Sequence, residues 1–119
     1  MTYLVVDDAP GRGVRPEELM TALGRDWPGV IVTEGYGEVD GVVWTYMEDG
    51  QRLEGASHVD GTCIYLDGAL ALSARCALWF RGVVPQDVVL HFCDEAFTFH
   101  GVVTGEMGVE DVCALATQR

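Results

Sequence analysis

The sequence predicts an α+β fold, in which a mostly antiparallel sheet packs against a central buried helix and two further short helices. Three Asp-Gly dipeptides, at residues 40–41, 49–50 and 60–61, each separate two strand-like runs. Asp-Gly favours the positive φ angles of a two-residue hairpin turn, so the three together predict a four-stranded meander. Residues 69–81 are apolar almost all round, which is typical of a buried helix. We expect residues 1–119 to form a single domain, because a chain of this length buries about two-thirds of its unfolded surface.

The remaining elements follow from local signals. Residues 3–6 form a short strand, and Pro16 begins a helix over residues 15–24, with Glu17 and Glu18 at its positive end. The central helix has Asp67 as its predicted N-cap and ends near Gly82. The other predicted segments are meander strands at residues 30–39, 42–48, 51–59 and 62–66, a C-terminal hairpin at 87–93 and 97–103 with its bend at 94–96, and a terminal helix at 108–117.

The three predicted turns also fix a register for the meander. The expected pairs are Gly37 with Trp44, Trp44 with Gly55, Tyr46 with Leu53, Gly55 with Leu66, and Ser57 with Ile64. Large apolar side chains then share one face of the sheet with glycines beneath the rings, and the other face is mixed. This division is what an antiparallel meander with one buried face requires.

The charge of the chain excludes several classes of function. It carries 7 basic and 19 acidic residues, a net charge of −12, and every basic residue is an arginine. Nucleic-acid binding needs a basic face, so we expect no nucleic-acid partner. The longest apolar stretch is shorter than the roughly 18 residues of a membrane span, so we expect no membrane partner. Because Met1 leads directly into a strand-like run, we expect a cytoplasmic protein with reduced cysteines.

Catalytic motifs give little support for an enzyme. Asp7-Asp8 after an apolar run resembles the start of a receiver domain of two-component signalling, but that family needs a lysine and the chain has none. Ser57 and His58 are adjacent, so on a strand they point to opposite faces. We therefore predict no catalytic residue, no cofactor and no metal.

One alternative is a small metal-binding or hydrolytic enzyme that uses His91, Cys93 and His100. A tight bend at Glu95-Ala96 places His91 opposite His100, with Cys93 on the same face. Two imidazoles and a thiolate are a common zinc ligand set. A second alternative is an oligomeric accessory or structural protein, such as a homodimer joined through an edge strand.

Acidic residues concentrate on or beside the meander, at Glu34, Glu38, Asp40, Glu48, Asp49, Glu54 and Asp60. Complementary charge speeds the association of an acidic protein with a basic one. We expect five of these residues to contact a partner: Asp40, Glu48, Asp49, Glu54 and Asp60.

Residues 88–99, VVLHFCDEAFTF, followed by residues 104–112, TGEMGVEDV, resemble the C-terminal part of small bacterial immunity proteins of polymorphic or contact-dependent toxin systems. The shared pattern is a strand, Asp-Glu, an aromatic strand, a glycine-containing loop and a short helix. This resemblance implies a cytoplasmic inhibitor without enzymatic activity that binds one cognate toxin. Combined with the charge, it favours a basic toxin domain, with a nuclease as the preferred class.

Overall fold

The computed structural model describes residues 2–7, 14–34, 40–58 and 63–117, and within these it contains seven strands and three helices. The α+β class is confirmed. In chain order the elements are β1 (Thr2–Asp7), α1 (Pro16–Asp26), β2 (Ile31–Glu34), β3 (Asp40–Glu48), β4 (Gln51–His58), β5 (Cys63–Gly68), α2 (Leu70–Val83), β6 (Leu90–Asp94), β7 (His100–Val103) and α3 (Val109–Thr117).

All seven strands belong to one antiparallel sheet, in the order β2-β3-β4-β5-β1-β6-β7. The predicted meander forms one side of it and the C-terminal hairpin the other. β1 lies between them and pairs with both β5 and β6. The first strand of the chain therefore unites the two predicted pieces into a single sheet. Because β5 and β6 both run antiparallel to β1, they run parallel to each other, and α2 makes the crossover between them.

The Asp49-Gly50 turn and the register around it are confirmed. Asp49 has φ 50° and Gly50 has φ 77°, the pair of positive angles that a two-residue hairpin turn needs. Four predicted pairs are also observed, namely Tyr46 with Leu53, Trp44 with Gly55, Gly55 with Leu66, and Ser57 with Ile64. The Asp60-Gly61 turn lies outside the described residues.

The predicted turn at Asp40-Gly41 is wrong. β3 already begins at Asp40, and Val32, in place of Gly37, lies opposite Trp44. The register of β3 against β4 shifts between Asp40 and Val43, so the dipeptide precedes a bulge. Residues 35–39, which were predicted to continue the second strand, lie outside the described residues.

The predicted N-cap of the central helix is also wrong. Asp67 belongs to β5, where it pairs with Glu54 and Thr2. The helix starts without a side-chain cap after Ala69, whose carbonyl accepts a hydrogen bond from the amide of Ser73 at 3.0 Å. It also continues through Gly82 to Val83, because a glycine in a last turn ends a helix only when the backbone adopts the left-handed conformation there.

The core lies between the sheet and α2. Half of this 14-residue helix is buried, including Leu72, Ala77 and Phe80, as its composition predicts. On the sheet side of the core, the indole of Trp44 lies over Gly55 of the neighbouring strand, where a Cβ atom would come within 2.1 Å of Trp44 Cε2. Glycine at position 55 therefore makes room for the largest buried side chain of the sheet.

Candidate functional site

The three helices of the described part of the chain pack on one face of the sheet, which we call the inner face. Trp27, at the end of α1, makes an edge contact with the ring of Tyr46 at 4.9 Å. Arg75 of α2 bonds to the carboxylate of Glu48 at 2.6 Å. In α3, Leu115 fills the space over Gly101. Strand pairing places Tyr46, Glu48 and Gly101 on the same side of the sheet.

The opposite side of the sheet, which we call the outer face, has no described helix over it. One row of paired residues crosses all seven strands on this face: Thr33, Val43, Ala56, Tyr65, Leu4, Cys93 and His100. Most of these side chains are only partly buried, in contrast to the fully buried inner row. The outer face of the sheet therefore presents a broad surface of small, β-branched and aromatic side chains.

A shallow depression of about 300 Å³ lies near the middle of the outer face. Two neighbouring rows of outer-face residues line it: Val43, Ala56 and Tyr65 in one, and Thr45, Glu54 and Asp67 in the other. Toward the β2 edge, Ile31 and Met47 are 67% and 59% exposed. Scattered exposed apolar side chains are ordinary, but a continuous sheet face that carries them is a typical contact surface.

The outer face is not recognisable as a site from the sequence, because strand order decides which residues share it. One sequence signal does indicate this face. In β1 and β3, apolar residues occur on both sides of the strand instead of alternating with polar ones. Leu4 and Val6 alternate with Tyr3 and Val5, all four of them apolar. A strand with apolar residues on both sides is typical of a sheet whose outer face is also partly buried.

The five acidic residues predicted as contacts do not form one cluster. Glu48 points to the inner face, where it bonds to Arg75 and accepts a hydrogen bond from the Tyr46 hydroxyl at 2.9 Å. These two hydrogen bonds, that of Arg75 foremost, hold the pKa of Glu48 below its ordinary value. Asp49 is exposed at the hairpin tip. Glu48 is thus part of a structural ion pair, and Asp49 next to it is presented to solvent.

Glu54 is the predicted contact that lies on the outer face. It is exposed and forms a surface ion pair with Arg52, two residues earlier on the same strand. Asp40 opens β3 opposite His58, and the structure describes only its backbone. Asp60 lies outside the described residues.

The arginines of the described part are all engaged within the chain. Arg15, Arg25, Arg52 and Arg75 each lie within ion-pair distance of a carboxylate. Arg81 is buried and donates hydrogen bonds to the carbonyls of Val88 and, at 2.6 Å, Pro85. The charges that this part of the surface offers to a partner are therefore mainly carboxylates.

Two histidines meet on the outer face, at the β6–β7 hairpin. The predicted register is wrong, since His91 pairs with Val102, and His100 pairs with Cys93. The shift is two residues, which keeps every side chain on its predicted face. His91 and His100 therefore become diagonal neighbours, with His91 Nδ1 and His100 Nε2 2.8 Å apart.

The register differs because the β-turn around Glu95-Ala96 does not lead directly into the paired strands, whose ladder ends at Cys93 and His100. The Asp94 carbonyl accepts a hydrogen bond from the amide of Phe97 at 3.1 Å, and Phe97 takes a positive φ of 54°. The Asp94 carboxylate also accepts hydrogen bonds from the Thr98 hydroxyl and, at 2.7 Å, the Thr98 amide, which lower its pKa. Asp94 thereby closes a longer loop, and β7 begins only at His100.

The third member of the predicted metal set does not join the histidines. Cys93 is only 1% exposed, and burial raises the pKa of its thiol, which disfavours the thiolate that binds metals or attacks substrates. Among the described residues, no three His, Cys, Asp or Glu side chains are grouped so that they could hold a metal ion.

A second concavity, of about 750 Å³, lies where the end of α2 meets the loop before α3. Its lining includes Arg81, Val89, Val102, Glu106 and Met107. Since Arg81 already donates to two carbonyls, the described lining of this concavity presents no uncommitted basic group to a ligand.

No described helix is long and apolar enough to cross a membrane. A scan against protein-family models finds no match, and searches of the curated proteins and of the solved structures find no significant match either.

Proposed function

We propose that this chain is an immunity-type inhibitor that binds a basic toxin domain, with a nuclease as the preferred class, and that the outer face of the sheet is its contact surface. The observation that carries the proposal is the row of partly buried side chains that crosses seven strands without a described helix over it. When a partner covers such a surface, the burial of its apolar side chains stabilises the complex through the hydrophobic effect.

Charge supports a basic partner. The chain carries 12 more acidic than basic groups, and the described arginines are committed to internal contacts. Opposite charges on two proteins steer their encounter and can raise the association rate toward about 10⁸–10⁹ M⁻¹s⁻¹ at low salt. An inhibitor that must reach a toxin before the toxin acts gains from this rate.

Among the predicted contacts, the geometry favours Asp49 and Glu54. Asp49 lies at the exposed hairpin tip, and Glu54 lines the depression next to Ala56. Glu48 takes the supporting role of holding Arg75 against the end of the same hairpin. Asp40 and Asp60 remain predicted contacts.

The experiment is co-expression with the toxic product of the neighbouring gene. The proposal expects cells that carry both genes to grow and cells that carry the toxin alone to die. Death in both cultures, or the absence of any such neighbour, would contradict it. The matched control is the same co-expression with the Ala56→Arg variant. This change places a bulky cation in the depression, so it should abolish protection.

If the outer face binds a second copy of this chain, size-exclusion chromatography at rising concentration will show a dimer that Ala56→Arg dissociates. That result would replace the toxin domain by a homodimer partner. The proposal predicts a monomer in the absence of the toxin, because two copies, each carrying a net charge of −12, repel each other.

A further inference from the structure

We propose that His91 and His100 form a binding site for a divalent transition-metal ion of the class that favours imidazole, namely Cu²⁺, Ni²⁺ or Zn²⁺. The observation is the 2.8 Å separation of His91 Nδ1 and His100 Nε2 on adjacent strands of the outer face. This inference does not depend on the proposed function.

The separation of the two nitrogens matches that of two ligands on one ion. Imidazole nitrogens bind these metals at about 2.0 Å, so two of them at right angles lie about 2.8 Å apart. The strands bring the two imidazoles within reach of each other, because the histidines are diagonal neighbours in a regular antiparallel pair. The backbone therefore arranges the pair in advance.

The direct contact between the rings shows that two nitrogens are aimed at each other. In such a contact one ring donates its N–H and the other accepts with its lone pair. With His100 as the donor, entry of a metal ion shifts that ring to its other neutral tautomer, in which the proton lies on Nδ1. The two rings also rotate, because lone pairs that face each other across 2.8 Å leave no room for an ion at about 2.0 Å from each nitrogen. After this rotation both lone pairs converge on one ion, and the rings keep their total charge.

His91 and His100 supply two ligands, and among the described residues no third His, Cys, Asp or Glu is grouped with them to hold an ion. The pair is exposed, and Cys93 beside it keeps its thiol buried. The site is consequently open, unlike a closed structural zinc site with four protein ligands. The net charge of −12 adds a field that attracts a cation to the chain.

The test is a titration of the full chain with Ni²⁺, measured by isothermal titration calorimetry. Ni²⁺ is chosen because thiols do not reduce it. We expect one ion per chain, and at least a tenfold loss of affinity in His91→Ala and in His100→Ala. His58→Ala is the matched control, since His58 lies on β4, away from the pair, and should bind as the native chain does.

A second measurement does not depend on the variants folding. Addition of Zn²⁺ to the native chain should shift the ring resonances of His91 and His100 in nuclear magnetic resonance spectra and leave those of His58 in place. Absence of Ni²⁺ binding to the native chain, retention of binding after either substitution, or a shift confined to His58 would overturn the proposal.

Discussion

Gly55→Ala tests whether the space under Trp44 organises the sheet. The added Cβ would lie 2.1, 2.3 and 2.4 Å from three atoms of the indole, whereas carbon atoms in contact are about 3.5–4.0 Å apart. The ring must therefore move by more than about 1 Å. Trp44 is 2% exposed and packed in the core, so its neighbours must move with it. Overpacking of this kind costs about 1–3 kcal/mol, and the severity of the overlap places Gly55→Ala at the upper end.

The assay is urea unfolding, which gives the free energy of unfolding of each variant. Gly24→Ala is the control, because nothing lies within 4 Å of the added Cβ in that exposed position of α1. There, alanine should stabilise the protein by up to about 1 kcal/mol through its higher helix propensity. Trp44→Phe, with a smaller ring, should reduce the cost of Gly55→Ala. A Gly55→Ala protein as stable as the native one would contradict this prediction.

Two further predictions concern acid stability and thiol reactivity. Hydrogen bonds from Arg25 and Trp79 lower the pKa of Asp26 from 3.8 to about 2, so their contribution to stability is present above 3.8 and is lost as the pH falls toward 2. The stability advantage of the native chain over Asp26→Asn should therefore vanish on acidification, and urea unfolding that shows a constant difference would contradict this. In native protein, a thiol reagent should label the partly exposed Cys63 and Cys113 quickly and the buried Cys76 and Cys93 only after unfolding, and rapid labelling of Cys76 would contradict the packing of α2.

Local chemistry explains why some of the fold is predictable from sequence. The Asp49-Gly50 turn needs only its own two φ angles, and once it is placed the pairing of Tyr46 with Leu53 follows. Asp40-Gly41 has the same two letters but leads into a bulge, because pairing of β3 with β2 and β4 competes with the turn there. A dipeptide preference is thus decisive only where no stronger pairing opposes it.

Long-range pairing is the part that sequence patterns do not encode. β1 inserts between β5 and β6, which lie about sixty and ninety residues further along the chain. That insertion decides which face of the whole sheet is covered, and so it decides that Ala56, Tyr65 and Leu4 share one exposed row.

In the candidate site, too, features set by local chemistry are predictable from the sequence and features set by long-range packing are not. The exposure of Asp49 and Glu54 follows from turn and strand chemistry, and both are where the sequence predicts them. The pairing of Glu48 with Arg75 depends on where α2 docks, which no local pattern specifies. The contact of His91 with His100 was expected from an incorrect register, and it occurs because a two-residue shift preserves the face.

The most direct test of the outer face as the contact surface is the dissociation constant of the complex with the neighbouring basic toxin domain, measured for two matched charge reversals. Glu54→Arg lies on the outer face, and Glu17→Arg makes the same change at an exposed position of α1, which packs on the inner face. We predict that Glu54→Arg weakens binding at least about tenfold, or about 1.4 kcal/mol, and that Glu17→Arg changes it much less. Equal effects of the two reversals, or an unchanged dissociation constant for Glu54→Arg, would contradict the assignment of the outer face.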